Sequence, residues 1–188
     1  MTPRASVPIV ALVSFSAFLF ACGDRVERAS TPSATITENT PVNFGGVGPI
    51  AVGMTRAEAE RALGENFLPP AAAGPDESCR YVSLKAGPKG LGFMLIDQVI
   101  ARIDVDDGSP MRTAAGARIG STEADIAALY GTGVSVRPHK YETGHELVVS
   151  SPDARQSGLR YVFETDGAQV TRYRAGRMPE VEYVERCG

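Results

Sequence analysis

Residues 52–64 read V-G-M-T-R-A-E-A-E-R-A-L-G, and residues 119–131 read I-G-S-T-E-A-D-I-A-A-L-Y-G. The two stretches are variants of one pattern, because glycine, threonine and an acidic residue recur at a constant offset. Gly53 lies 67 residues before Gly120, and Gly64 lies 67 residues before Gly131. A pattern that recurs at a fixed period is typical of an internal repeat. We therefore expect two related structural units in tandem.

Each stretch carries the signals of a short α-helix. Thr55 is followed three residues later by Glu58, a spacing at which each side chain can accept a hydrogen bond from the other residue's backbone N–H. Thr122 and Asp125 repeat this capping box with a shorter acid. The residues that follow are strong helix formers, and the closing glycine is typical of a helix end. A helix of about ten residues is marginal alone in water, so each one is expected to pack against strands.

Strand-like runs bounded by turn residues follow each predicted helix. Residues 97–98 and 165–167 are predicted hairpin turns, and superposing the two hairpins aligns Ile100 with Val170. The predicted strands are residues 79–85, 91–96 and 99–105 in the first unit, and 134–137, 146–150, 159–164, 169–174 and 181–184 in the second.

These elements predict an α+β fold made of two tandem repeats, residues 46–111 and 112–188. Each repeat is expected to be a short helix packed on an antiparallel sheet of three to four strands. The two sheets can join into one continuous curved sheet.

Composition limits the class of function. The chain has 188 residues and a net charge of −3, with acidic and basic residues interspersed. A nucleic-acid-binding protein needs a concentrated basic surface, so nucleic acid is not an expected partner. No second long apolar run follows the N-terminal segment, so no membrane-spanning helix is expected after it.

The N-terminal segment has the features of an export signal. Arg4 precedes an apolar run at residues 7–20, which is short for a membrane span and suits the core of a signal peptide. The run ends in L-F-A-C, with Cys22 last, and this resembles the lipobox of bacterial lipoproteins. The resemblance implies that residues 1–21 are a signal peptide and that Cys22 becomes the lipidated first residue.

Location follows from the same resemblance. A lipid on Cys22 would anchor the protein in the cell envelope facing the periplasm, and the Gly23 that follows favours the outer membrane. Residues 22–45 are rich in Ser, Thr and Pro, and they are predicted to be a flexible tether between lipid and domain. The alternatives are an ordinary secreted protein cut nearby and a short signal anchor.

Lipidation of Cys22 would leave two other cysteines, Cys79 and Cys187. A pair of cysteines in an exported chain favours a disulfide, which here would tie the end of the chain to the first repeat. Two separate thiols are the alternative.

The repeated stretch also resembles a known group of proteins. Its pattern, G-M-T-x-x-E-x-x-x-x-L-G, is similar to the opening of the SmpA/OmlA (BamE)-type outer-membrane assembly lipoproteins, and its tandem use is similar to the β-lactamase inhibitory protein. The resemblance implies helix-plus-antiparallel-sheet modules and a function in protein binding. In the first copy the match is carried by Gly53, Met54, Thr55, Glu58, Leu63 and Gly64.

Two groups of residues are candidate metal sites. The only histidines, His139 and His145, could ligate a metal with Glu142 or Glu146, but they are predicted to be polar residues flanking an exposed turn. Asp104, Asp106 and Asp107 precede a glycine like half of a calcium loop, but position 115, where that loop needs a glutamate, is alanine. We predict no metal and no cofactor.

Three classes of function remain open, and a non-enzymatic envelope lipoprotein that binds another protein is preferred. Within it, an envelope structural or assembly role and inhibition of a hydrolase are both open. The alternative is a small-ligand or glycan-binding periplasmic module, with Tyr141, Tyr161 and Tyr173 as candidate platform residues. An enzyme would need a histidine beside a carboxylate in a cleft, and we predict no catalytic residues.

Four arginines are predicted to lie on the solvated face of the sheet: Arg102, Arg172, Arg174 and Arg177.

Overall fold

The computed structural model describes residues 35–68 and 78–187. The predicted signal peptide, the predicted lipidation site Cys22 and a predicted loop at residues 69–75 lie outside the described residues. The helices are α1 (Arg56–Leu63) and α2 (Glu123–Tyr130). The strands are β1 (Val42–Asn43), β2 (Gly46–Val47), β3 (Ile50–Ala51), β4 (Cys79–Val82), β5 (Leu91–Ile96), β6 (Val99–Val105), β7 (Val134–Pro138), β8 (His145–Ser150), β9 (Leu159–Thr165) and β10 (Val170–Arg177).

The strands form two antiparallel sheets, which confirms the predicted α+β class. The small sheet has three strands in the order β1-β2-β3, and the large sheet has seven in the order β4-β5-β6-β10-β9-β8-β7. Strands β6 and β10 adjoin in the middle of the large sheet, where Ile103 faces Ala175. The strands that follow α1 therefore form one half of the large sheet, and those that follow α2 form the other.

Both helices begin with the predicted capping box. At α1, the Glu58 N–H donates to Thr55 Oγ1 at 3.3 Å and the Thr55 N–H donates to Glu58 Oε2 at 2.8 Å. At α2, the corresponding distances between Asp125 and Thr122 are 3.1 and 2.8 Å, so the shorter acid completes the box equally well. Neither described helix has the length and apolar character needed to cross a membrane.

The segment before each helix is hydrogen-bonded to the hairpin that follows it. The Gly53 N–H donates to the Ile100 carbonyl at 2.8 Å, and the Gly120 N–H donates to the Val170 carbonyl at 2.8 Å. Both glycines have positive φ, 94° and 85°, a conformation that other residues rarely adopt. The glycine of the repeated pattern is therefore required by the turn into the helix.

The core lies on the face of the large sheet that both helices cover. Ala59 and Leu63 of α1 and Ile126 of α2 belong to one cluster with the sheet residues that alternate towards them. The compact unit that contains all the described residues is Pro32–Gly188. The largest sheet side chains in this core are Phe93, Leu95, Ile100, Ile103, Tyr161, Phe163 and Tyr173.

The prediction of a flexible tether at residues 22–45 is wrong for its last part. Ile36 and Val42 are buried in the core. The Val42 N–H donates to the Arg112 carbonyl at 2.9 Å, and the Val42 carbonyl accepts from the Ala114 N–H and the Tyr161 hydroxyl. Two apolar residues in a polar stretch give no periodic signal, and their partners lie far away in the chain, so composition alone misses this contact.

The prediction of a last strand at residues 181–184 is also wrong. Residues 178–187, here called the C-terminal strap, contain a 3₁₀ turn at Glu180–Glu182 and no strand. The strap packs on β6, β9 and β10. An alternation of apolar and charged residues is compatible with the strap as well as with a strand. In both, one side is buried against other residues and the other side is exposed to solvent.

Candidate functional site

Charged side chains alternate with core residues along four neighbouring strands of the large sheet. Because successive strand residues point to opposite faces, these charges lie on the face away from the helices, here called the outer face. All of them are buried, which the strap explains, since it crosses this face. They are Arg102 and Asp104 on β6, Arg174 on β10, Glu164 on β9 and Glu146 on β8.

Arg174 is the centre of this group. Its Nη2 donates to Glu146 Oε1 at 2.9 Å, its Nη1 donates to Glu164 Oε1, and its Nε donates to the Val181 carbonyl at 2.5 Å. Burial, together with the positive charge of Arg102, lowers the pKa of Arg174, while Asp104 and Glu146 oppose that shift. The side chain therefore neutralises two buried carboxylates and holds the strap backbone at the same time.

Arg102 has the same double role on the neighbouring strand. Its Nε donates to Asp104 Oδ2 at 2.9 Å. Its Nη1 donates to the carbonyls of Glu180 and Tyr183 at 3.1 and 2.7 Å. Two buried guanidinium groups thus bind three carbonyls of the strap, which is why this segment needs no neighbouring strand to satisfy them.

Exposed arginines extend the group to the rim of the outer face. Arg172 Nε donates to Glu164 Oε2, and Arg137 Nε donates to Glu146 Oε2 at 2.7 Å. Glu164 and Glu146 therefore each have one buried and one half-exposed arginine partner. The order across the face is Arg172, Glu164, Arg174, Glu146 and Arg137, an alternating row of charges.

The strap also has an apolar anchor and a covalent one. Val181 is fully buried against Val148 and Val162 on the outer face. The disulfide Cys79–Cys187 joins the end of the strap to β4, with the two Cα atoms 5.4 Å apart. This bond confirms the predicted pairing.

Next to the disulfide, a second set of contacts holds the end of the strap. The Arg186 guanidinium lies 4.6 Å from the centre of the Tyr81 ring and is paired with Asp106. The Tyr141 hydroxyl donates to Glu185 Oε1 at 2.5 Å. The strap is therefore held along its whole length.

His139 is buried, which contradicts the prediction that it flanks an exposed turn. Its Nδ1 accepts the backbone N–H groups of Tyr141 and Glu142 at 3.2 and 2.9 Å. In the neutral ring the proton is therefore assigned to Nε2, which lies 3.3 Å from Glu164 Oε2. The ring ties the loop after β7 to the outer face.

His139, Glu146 and Glu164 lie close enough together to be tested as a metal site, with ligand atoms within 4.8 Å of one another. The donor set does not fit a cation. A histidine ligand needs a free lone pair, and the Nε2 that faces the carboxylates carries the proton. Arg174 already lies between the two carboxylates as their counter-ion. The cluster is best described as a buried ion-pair network.

The other histidine lies elsewhere. His145 Nδ1 is 2.8 Å from Glu123 Oε1 at the start of α2, so the two histidines do not share a site. The Thr165 hydroxyl donates to the same carboxylate at 2.5 Å. This bond, and then the contact with His145, lowers the pKa of Glu123.

The aspartates that were compared with a calcium loop have separate partners. Asp104 pairs with Arg102 on the outer face, and Asp106 pairs with Arg186 of the strap. Asp106 and Asp107 also line an acidic cleft of about 580 Å³. Two more of its carboxylates are engaged as well, since Glu142 pairs with Arg172 and Asp166 accepts backbone N–H groups that lower its pKa.

The predicted aromatic platform is not formed. Tyr161 and Tyr173 are buried in the core on the helix side, where burial raises the pKa of both phenols. Tyr141 is exposed on the other side of the sheet. The three tyrosines that were candidates under the ligand-binding alternative therefore do not share a surface.

The predicted solvated arginine face is wrong for two of its four members, because Arg102 and Arg174 are buried. Both arginines lie between apolar residues of a strand, and acidic residues lie on the same face of β6, β8 and β9. A charge flanked by apolar residues on two adjacent strands is the signal that could have predicted the network.

No protein-family model, curated protein or solved structure matches this chain.

Proposed function

We propose that this chain is a non-enzymatic lipoprotein of the bacterial envelope that acts by binding another protein. Residues 1–21 would be removed, Cys22 would carry the lipid in the outer membrane, and the domain would face the periplasm. The lipobox-like L-F-A-C ending supports the anchor. The disulfide Cys79–Cys187 supports export, because structural disulfides persist in oxidising compartments.

The observation that carries the binding proposal is the distribution of exposed apolar side chains. Six large apolar residues are exposed in the described part of the chain, and three of them belong to the strap or to the loop hydrogen-bonded to it. These three are Tyr141, Met178 and Tyr183. Tyrosine is enriched among the residues that dominate the binding energy of protein interfaces.

The support beneath this surface favours binding as well. The strap that carries Tyr183 is held by Arg102, Arg174 and the disulfide, and Tyr141 is fixed by its bond to Glu185. Side chains that are already ordered lose little entropy when a partner binds. A rigid surface with exposed tyrosines is therefore suited to a protein partner.

We extend the proposal to the architecture. The two halves would be copies of one unit, joined as one continuous curved sheet, as in the SmpA/OmlA (BamE)-type and inhibitory proteins that the sequence resembles. Support comes from the two matching capping boxes and from the matching bonds of Gly53 to Ile100 and Gly120 to Val170. The inhibitor has a disulfide within each repeat, whereas this chain joins β4 to its own C-terminus. An assembly role and hydrolase inhibition would use the same surface.

The test is crosslinking in intact cells, followed by identification of captured proteins. We expect a specific protein to be captured by the wild type and to be lost from a Tyr141→Ala, Tyr183→Ala double variant. Two anchor residues that contribute about 1.4 kcal/mol each would together weaken binding by about 100-fold when removed. The matched control is Leu129→Ala with Val136→Ala, two apolar residues of similar exposure that lie outside the strap.

Two results would contradict this proposal. Recovery of no protein partner would favour the small-ligand alternative, and equal capture by the double variant would move the binding surface away from the strap. The anchor is tested separately with Cys22→Ala. This variant should lose acyl mass and move from the membrane fraction to the soluble fraction, and unchanged mass and partitioning would disprove lipidation.

A further inference from the structure

The contacts under the strap have the features of a peptide-binding groove. Two buried arginines bind main-chain carbonyls in and next to the 3₁₀ turn of the strap, which is a way of holding a segment whatever its side chains. An apolar slot formed by Val148 and Val162 receives one branched side chain, Val181. Main-chain binding combined with one side-chain pocket is the usual division between affinity and specificity in peptide recognition.

Charge complementarity adds further selectivity. Arg177 Nη2 lies 2.8 Å from Glu180, and Arg137 Nη1 lies 3.4 Å from Glu182. The two glutamates flank Val181, so the groove holds a branched apolar residue between two carboxylates. The rim thus disfavours a segment with basic residues at these two places.

The disulfide determines whether another segment can displace the strap from the groove. With Cys79–Cys187 closed, the strap is tied to the sheet at both ends, through β10 and through β4. With the bond open, the covalent connection that remains among the described residues is the one to β10 at Arg177. Cys187 is partly exposed next to the chain end, so its sulfur can be reached by a thiol reductant.

We infer that the outer face is a peptide-binding site, occupied by the protein's own strap while Cys79–Cys187 is closed and available to an acidic segment of a partner protein, with the same 3₁₀ turn, once that bond is reduced. The segment would resemble the strap, with a branched apolar residue between two carboxylates. The reductant is a dithiol. It gives up two electrons and two protons and becomes a disulfide, while Cys79 and Cys187 become thiols.

This site differs from the surface in the proposed function. The partner's segment would replace the side of the strap that faces the sheet, whereas Tyr183 is exposed on the strap and Tyr141 is exposed on the neighbouring loop. The two proposals can therefore fail separately. Capture of a partner in cells tests the exposed surface, and binding of a defined peptide to purified protein tests the groove.

The probe is a fluorescent peptide with the sequence of residues 178–187 and serine in place of Cys187. Binding to the full chain is measured by anisotropy before and after reduction with a dithiol. Closing a short loop typically restrains a segment by a factor of about 100, so we expect the affinity to rise by about 100-fold on reduction. A peptide with Val181→Asp should not bind, since it would bury an unpaired charge in the slot.

Two variants keep the test decisive if reduction loosens the whole domain. The oxidised Val181→Ala chain has a weaker strap and should bind the peptide about tenfold more tightly than the oxidised wild type. Cys187→Ser opens the link without any reductant and should bind the peptide like the reduced wild type.

Several results would overturn the inference. Absence of peptide binding in all these forms would make the strap a purely structural element. Equal affinity before and after reduction would show that the disulfide does not control access to the groove. Equal affinity of the Val181→Asp peptide would show that the slot does not select the apolar residue. A dimer formed by the reduced chain alone would identify a second copy's strap, rather than a partner protein, as the occupant.

Discussion

Replacing Arg174 with methionine should destabilise the protein strongly, because it removes the buried counter-ion that two buried carboxylates share and leaves each of them with only a half-exposed arginine. The Arg174 side chain is 4% exposed, and those of Glu146 and Glu164 are 3% and 2% exposed. Removing one partner of a buried ion pair typically costs 3–5 kcal/mol, so we expect a loss of about 4 kcal/mol in the free energy of unfolding. Urea denaturation of the wild type and of Arg174→Met measures it directly.

The matched control is Arg172→Met on the same strand. Arg172 also contacts Glu164, but its side chain is 41% exposed, and after the substitution Glu164 keeps Arg174 as a partner. Exposed pairs typically contribute less than about 1 kcal/mol, so this variant should remain close to the wild type. Similar losses for the two arginines would refute the assignment of Arg174 as the central counter-ion.

Three further predictions concern the helix caps and the disulfide. Thr55→Ala and Thr122→Ala should each lower the free energy of unfolding by about 1 kcal/mol, with additive effects in the double variant, and a loss at only one site would show that the two caps are not equivalent. Cys187→Ser should cost about 4 kcal/mol under non-reducing conditions, and its urea midpoint should equal that of the reduced wild type. The N–H and hydroxyl of Thr55 lower the pKa of Glu58, so this capping contribution is present above the ordinary glutamate pKa and is lost as the pH falls through the lowered value. Glu58→Gln should therefore show a flatter decline of stability below about pH 5, and an unchanged decline would exclude this carboxylate as a source of acid sensitivity.

The features that could be predicted from the sequence are local ones. The capping boxes of Thr55 and Thr122 join groups three residues apart, and the tight turn at Asp97 joins two adjacent strands. Both residues of that turn, Asp97 and Gln98, have positive φ. The disulfide could be predicted from the number of cysteines, because the predicted lipid on Cys22 would leave only Cys79 and Cys187 to pair.

The candidate site could be predicted only in part. The sequence places the arginines on one face of the sheet. A period-2 pattern shows that the two faces of a strand differ, but it does not show which segment covers each face. The strap that buries Arg102 is separated from it by 78 residues of chain at Glu180. His139 was misplaced for the same reason, because the Glu164 beside it belongs to another strand.

Residues 52–64 and 119–131 by themselves determined two capped helices and their bounding glycines, and residues 97–98 and 165–167 determined the hairpin turns, because these structures depend on groups only a few residues apart. The tertiary structure alone decided that Ile36 and Val42 join the core, that the strap closes the outer face, and that Arg174 is a buried counter-ion. Each of these depends on burial by a distant segment. A charge becomes structurally decisive only when water is excluded from it, and the order of residues along one strand does not show which other segment excludes that water.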